Sequence, residues 1–161
     1  MPVVIARPFN AYGPRQSARA IIPTIITQLL SGNEDIRLGS LHPTRDFNYV
    51  RDICNGLILL SKFDEAIGKE VNIGSNTEIS IGTLADMLIK LLNAKVKIVT
   101  EDLRKRPDKS EVERLVCDNS LIKEITSWEP ETLLKDGLLE TIEWFNSEEN
   151  MKRYKGDIYN I

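Results

Sequence analysis

Val3-Val4-Ile5-Ala6-Arg7-Pro8-Phe9-Asn10-Ala11-Tyr12-Gly13-Pro14 is the stretch on which the reading of the fold turns. Residues 3–6 form a continuous apolar run rather than an alternating one. That is the pattern of a strand buried on both faces in a parallel sheet. The run then breaks into Asn, Gly and Pro. In open α/β sheets, ligands bind just beyond the carboxyl ends of such strands, so this break is a candidate site. The same residue types are also the ordinary chemistry of any turn, and taken alone the octet from Arg7 to Pro14 favours that plainer reading.

The chain around this stretch has 161 residues, enough for one domain with a buried core. Apolar residues make up 42% and charged residues 28%, the balance of a globular protein. A net charge of -3 argues against general nucleic-acid binding but leaves room for a local basic patch facing a phosphorylated small molecule. Cys54 and Cys117 lack metal-ligand spacing, and a single histidine cannot form a cluster. Both thiols are expected to be buried and reduced, which points to a reducing, cytoplasmic compartment. No apolar run approaches the roughly 20 residues of a membrane span. The start, Met1-Pro2-Val3-Val4-Ile5, has no charged region of the signal-peptide kind and reads as an interior strand exposed by truncation.

Further along, residues 21–30 place Ile21, Ile22, Ile25, Ile26, Leu29 and Leu30 on one helical face, with Pro23 in the first turn and Gly32 past the end. Ile36-Arg37-Leu38 and residues 47–50 are short strand candidates. A helix follows, with Ile53, Cys54, Leu57, Ile58 and Leu60 as its apolar stripe and Asp52 in its first turn. Gly56 inside that helix costs about 1 kcal/mol relative to Ala, which close packing against another element would explain. Glu70-Val71-Asn72-Ile73 is a strand stopped by Gly74-Ser75-Asn76, and Ser80 caps the next helix. Residues 95–100 alternate, with one solvated face. Residues 101–113 read as a charged surface loop. Asp118-Asn119-Ser120 offers helix caps, Pro130 precedes the last long helix, and residues 151–161 form a polar tail. Without regular βαβ alternation, the order alone gives α/β or α+β.

The assembled pattern resembles the C-terminal half of extended short-chain dehydrogenase/reductases of the NAD-dependent epimerase/dehydratase family. It is carried by the octet, Ile21-Ile22-Pro23, Arg45-Asp46-Phe47-Asn48-Tyr49-Val50-Arg51-Asp52, Asn72-Ile73-Gly74-Ser75 and Trp128-Glu129-Pro130, in this order over nearly the whole chain. A closer likeness is to the nucleotide-N-acetylglucosamine 4,6-dehydratases of the legionaminic acid pathway. It rests on residues 38–47, on residues 106–120, and on Tyr154-Lys155 with Tyr159-Asn160-Ile161. The resemblance implies an α/β fold: the last parallel strands of a Rossmann-type sheet plus a small mixed substrate-binding part, with residues 1–161 one nucleotide-sugar-binding region.

By that resemblance, Pro8 and Phe9 would lie near the nicotinamide of NAD, largely through backbone. Asn10 would reach the sugar or diphosphate. Arg19, Ala20 and Ile21 would meet the nucleotide at a helix start. Ile36, Arg37 and Leu38 would line the base and ribose, and Arg45 and Arg106 would clamp the diphosphate. Each has a plainer alternative: Asn10 satisfying turn backbone, Arg45 paired with Asp46, Arg106 solvated among other cations. Arg7 reads as a structural partner, and His42 as an exposed loop residue with no carboxylate near it in sequence.

The family's glycine-rich NAD turn is missing, since no two glycines are close enough to form it, and no tyrosine has a lysine at the family's offset. The expectation is half of an enzyme, inactive alone, that binds a UDP- or GDP-linked N-acetylhexosamine. It would work with a missing N-terminal half or as a homo-oligomer, without nucleic acid or membrane. A fragment of an epimerase or decarboxylase, a non-catalytic binding or assembly module, and a non-functional truncation whose apolar sheet edge drives aggregation are the other readings.

Overall fold

The computed structural model describes residues 1–105 and 110–154. These fall into two compact units. Among the described residues the first comprises 1–12, 44–79 and 115–134, and the second 13–43, 80–105, 110–114 and 135–154, so the chain passes repeatedly between them.

In the first unit, strand β1 (Ile5–Pro8) runs parallel to β6 (Glu70–Ile73), with Ile5 opposite Glu70 and Pro8 opposite Ile73. Short β2 (Ala11–Tyr12) runs parallel to β5 (Asn48–Tyr49). Helices α2 (Val50–Leu60) and α4 (Ser120–Thr126) pack together, and α4 also packs on β6. Their shared core holds Ile53, Leu60, Ala66, Val71, Ile73, Ile122 and Trp128, with Val4 and Ala6 of the first strand segment against it. Trp128 is buried yet satisfied, because its indole N–H donates to the Asp52 carbonyl at 3.2 Å.

The expected burial of β1 on both faces is corrected. Val4 and Ala6 face the core, but Val3 and Ile5, which point the other way along the pleat, are 43% and 51% exposed. Among the described residues only one strand pairs with β1, and nothing covers its second face. Arg7 lies on that exposed face in an ion pair with Glu70, the structural role expected of it. The stripe predicted for α2 is corrected as well. Ile53, Gly56 and Leu60 are buried, whereas Cys54, Leu57 and Ile58 are exposed, because the helix meets the sheet on its 53–56–60 face. Of the two thiols only Cys117 is buried.

In the second unit, α1 (Ile21–Leu30) packs on α3 (Ile81–Leu91) and on β3 (Asp35–Leu38). Pro23 sits in the first turn of α1, where a missing N–H costs nothing. Strand β3 runs parallel to β8 (Lys97–Thr100), and α5 (Leu134–Phe145) contributes Leu138, Ile142 and Phe145 to the buried residues. Ser80 accepts from the Thr83 N–H as the predicted cap of α3. The short strands β4 (Thr44–Arg45), β7 (Ile79–Ser80) and β9 (Arg114–Leu115) lie where the chain passes between units, and α6 (Glu148–Met151) closes the described chain. Among the described residues no helix is long and apolar enough to cross a membrane.

Candidate functional site

At the end of β1 the chain is held by backbone and amide bonds. The Phe9 N–H donates to the Ile73 carbonyl at 2.9 Å, and the Phe9 carbonyl accepts from the Asn48 side-chain amide at 3.1 Å. The Asn10 carbonyl accepts from the Asn48 N–H at 3.2 Å, and Asn10 Nδ2 donates to the Asp46 carbonyl at 3.2 Å. Tyr12 closes the segment. Its ring packs on Tyr49, centroids 5.6 Å apart, and its hydroxyl donates to the Leu134 carbonyl at 3.2 Å.

Asp46 is the centre of this end of the unit. It is fully buried, and its carboxylate accepts five hydrogen bonds. Oδ1 takes Asn48 Nδ2 at 3.0 Å, the Ser75 hydroxyl at 2.7 Å and the Ser75 N–H at 3.3 Å; Oδ2 takes the Asn76 N–H at 2.9 Å and the Cys117 N–H at 3.1 Å. Backbone N–H donors in this number hold a buried carboxylate without a cation. Asp46 is therefore no surface ion-pair partner for Arg45, whose Nη1 donates to the Thr44 carbonyl at 2.8 Å. Close packing completes the arrangement. A Cβ on Gly74 would stand 2.5 Å from Cys117 Cβ and 3.2 Å from Asp46 Oδ2, so only glycine fits there. Burial, with the Asp46 and then the Asp118 charge, pushes the Cys117 thiol up to about 12.

Asn119 takes the N-cap position of α4 as expected, but its side chain donates to the Gly74 carbonyl at 2.7 Å, while Asp118 Oδ1 accepts from the Ser120 N–H at 3.0 Å. That bond, with the Ser120 hydroxyl, holds the Asp118 carboxyl below the usual range.

The other candidates belong to the second unit. Arg19 is exposed, and its N–H donates to the Ser17 hydroxyl at 3.3 Å; the Ala20 N–H donates to the Ser17 carbonyl at 2.9 Å, just before Ile21 opens α1. In β3, Ile36 and Leu38 are buried, and the Leu38 carbonyl accepts from Glu101 at 2.8 Å. Arg37 has its main chain matched by Gln28. Its N–H donates to Gln28 Oε1 at 2.8 Å, and its carbonyl accepts from Gln28 Nε2 at 3.2 Å. The backbone of β3 is thus engaged at Arg37 and at the Leu38 carbonyl. The Arg37 guanidinium pairs with Glu101 at 3.0 Å, and Arg104 Nε with the same carboxylate at 2.8 Å. The Arg104 hydrogen bond, joined by Arg37, holds the Glu101 carboxyl below its ordinary value. Gly39 lies directly against this turn, since a Cβ there would overlap the Arg104 carbonyl. Arg106, two residues on, lies outside the described residues. His42 is exposed in a loop, as expected, and the fold brings it a partner from 71 residues away: its Nε2 lies 2.9 Å from a Glu113 carboxylate oxygen.

Among the described residues no group of three His, Cys, Asp or Glu could hold a metal. Pro8 and Phe9 offer no free main-chain donor to NAD. Both polar backbone groups of Phe9 are engaged internally, Pro8 has no N–H, and the sequence has no glycine-rich turn for the pyrophosphate.

A family model described as GDP-mannose 4,6 dehydratase matches residues 1–141. The chain belongs to this family. Three members of the wider group show its range. UDP-N-acetyl-alpha-D-glucosaminuronate decarboxylase of Bacillus cytotoxicus is 34% identical over 93% of this chain and 48% of its own length. Human dTDP-D-glucose 4,6-dehydratase is 31% identical over 96% of this chain and 44% of its own. The structure of UDP-glucuronic acid 4-epimerase from Bacillus cereus, in complex with UDP-glucuronic acid and NAD, superposes with a TM-score of 0.82 at 26% identity, covering 96% of this chain and 46% of that one. The chain spans about half the length of the relatives it matches. The α/β fold with parallel strands is that of the Rossmann-type extended dehydrogenase/reductases, as the octet and its companions implied.

Within this dehydratase family chain, sequence reasoning missed Asp46, Asn48 and Gln28. The signal for Asp46 was its place between Arg45 and the aromatic Phe47 in a strand-like run. A charge there is unexpected unless the fold supplies donors. Asn48 stood inside the run that carries the family resemblance, but nothing in it singled out the amide, and Gln28 gave no signal, because a neutral amide in an amphipathic helix reads as surface.

Proposed function

We propose that this chain is the nucleotide-sugar-binding portion of an NAD-dependent nucleotide-sugar 4,6-dehydratase. Its ligand is a UDP- or GDP-linked N-acetylhexosamine, of the kind handled in legionaminic acid synthesis. The observation that carries the reading is the membership of residues 1–141 in the GDP-mannose 4,6 dehydratase family, together with the rigid end of β1 where a ligand would meet a parallel strand. By the family resemblance, Asn10, Arg45 and Arg106 would serve the diphosphate or sugar, and Arg19, Ala20, Ile21, Ile36, Arg37 and Leu38 the nucleotide. Pro8 and Phe9 would border the nicotinamide. In the complete enzyme NAD, when bound, would supply the hydride acceptor and donor for a reaction that oxidises C4 of the sugar and eliminates water across C5 and C6. The NAD turn and the Tyr/Lys pair would come from the part of the relatives' length that these residues do not span, on the same chain or another. The setting would be the cytoplasm.

Calorimetric titration with UDP- and GDP-N-acetylglucosamine tests the reading. Binding by the chain is expected, with loss of affinity when Arg45 and Arg106 are both changed to Ala. Unchanged affinity in that double variant sinks the clamp. Conversion of a nucleotide sugar to its 4-keto product by this chain alone sinks the half-enzyme reading. An epimerase or decarboxylase portion is the second reading. It is favoured by the decarboxylase and epimerase among the relatives and would show as binding of UDP-glucuronic acid in preference to the N-acetylhexosamine nucleotide.

A further inference from the structure

We propose that Asn48, anchored by Asp46, is a positioning residue for the nucleotide-sugar site. It is the bracket that sets Asn10 relative to Arg45, and the inference rests on the functional reading above. One side-chain amide joins three acceptors. Asn48 Nδ2 reaches the Phe9 carbonyl at 3.1 Å, the Asp46 carbonyl at 3.1 Å and Asp46 Oδ1 at 3.0 Å. The Asn48 N–H adds the Asn10 carbonyl, and Asn10 Nδ2 returns to the Asp46 carbonyl. Two chain segments 36 residues apart are thereby locked at the point where each carries a proposed ligand-binding side chain, Asn10 on one and Arg45 on the other.

The amide can sit only one way round. Turned over, it would present Oδ1 to three oxygens, one of them a carboxylate. Asn48 Oδ1 itself is buried and has no hydrogen-bond partner among the described residues. A side chain that leaves its own acceptor unpaired is held in place for what its donor end does, since buried polar groups are otherwise satisfied. Asp46 is in turn immobilised by Ser75, Asn76 and Cys117 from two other segments. Removing Asn48 Nδ2 therefore releases the Phe9 carbonyl, while four of the five carboxylate bonds and the Asn10 bonds to Asn48 and Asp46 remain. Positioning and stability are separable on this basis.

The experiment is titration of the chain with UDP and with UDP-N-acetylglucosamine, alongside thermal denaturation, for wild type, Asn48→Ala, Arg45→Ala and Thr132→Val. Thr132 is the control because its N–H and hydroxyl bind the buried Asp52 carboxylate in the same unit, away from the bracket. Asn48→Ala is expected to weaken UDP-N-acetylglucosamine binding about tenfold, the size of a lost oriented hydrogen bond. Thr132→Val should lower the melting temperature comparably and leave affinity unchanged. If Asn48→Ala does not fold, Asn48→Val carries the same expectation in a strand-favouring side chain. Wild-type affinity in the Asn48 variant beside a loss in Arg45→Ala overturns the positioning role and leaves the site standing. Equal weakening in Asn48→Ala and Thr132→Val reduces Asn48 to a stability residue and overturns it too. No binding of either nucleotide by the wild type overturns the functional reading and the inference together.

Discussion

Gly56 of α2 lies flat against Trp128: a Cβ built on it would stand 3.3 Å from the indole Nε1 and 2.9 Å from Ile73 Cγ2. The helix, the last strand of the parallel pair and the buried indole meet at this one residue. It is the close packing that a glycine inside a helix led one to expect. Gly56→Ala gains about 1 kcal/mol of helix propensity but forces this contact apart, at a cost of about 1–3 kcal/mol. A net loss of stability in urea denaturation is expected. A stabilised variant would show that the contact yields.

Asp46→Asn should be far more damaging than its near-identical shape suggests. An amide would set a donor against N–H groups that now point at a carboxylate oxygen, leaving buried donors unpaired at about 1–3 kcal/mol each. Loss of cooperative unfolding or a destabilisation of at least about 3 kcal/mol is expected in denaturant titration. A variant within about 1 kcal/mol of wild type would remove Asp46 from the centre of the unit.

The two thiols should differ in reactivity. Cys54 is exposed, while Cys117 is buried with its thiol raised from 9.0 to about 12. Iodoacetamide at pH 8 is expected to add one group to the folded chain and two in denaturant, read by mass spectrometry. The pH dependence follows the raised value. The neutral thiol is favoured in the folded state, so its contribution is full below about pH 9 and is lost as the pH climbs towards about 12. Cys117→Ala should flatten the alkaline fall in stability. A fall of unchanged steepness would assign it to other groups.

Val3 and Ile5 present an apolar face beside a strand edge, and such surfaces associate. Concentration-dependent self-association is expected in sedimentation velocity, reduced by Val3→Lys with Ile5→Lys. A wild-type chain that stays monomeric at high concentration would count against an interaction surface here.

Local periodicity made most of the elements legible. The apolar spacing of α1, α3 and α5, the Ser80 cap, the one-sided β8 and the turn at Gly74 all express forces acting within a few residues. The face that α2 buries was not legible, because a stripe from Ile53 to Leu60 can rotate towards Cys54 or towards Gly56. Only the position of Ile73 and Trp128 chooses between them. The His42–Glu113 pair was hidden for the same reason.

At the candidate site, residue types and order by themselves determined the family and, through it, the parallel strands, and they put forward the polar groups proposed for the ligand. Tertiary structure alone decided which of those groups are already spent. It gave Asp46 its five donors from residues up to 71 positions away, engaged the main chain of Phe9 and Arg37, and left one face of β1 uncovered. The physical reason is that burial and hydrogen-bond satisfaction depend on what lies opposite in space. Neighbours in sequence cannot report that for a carboxylate whose donors come from other loops.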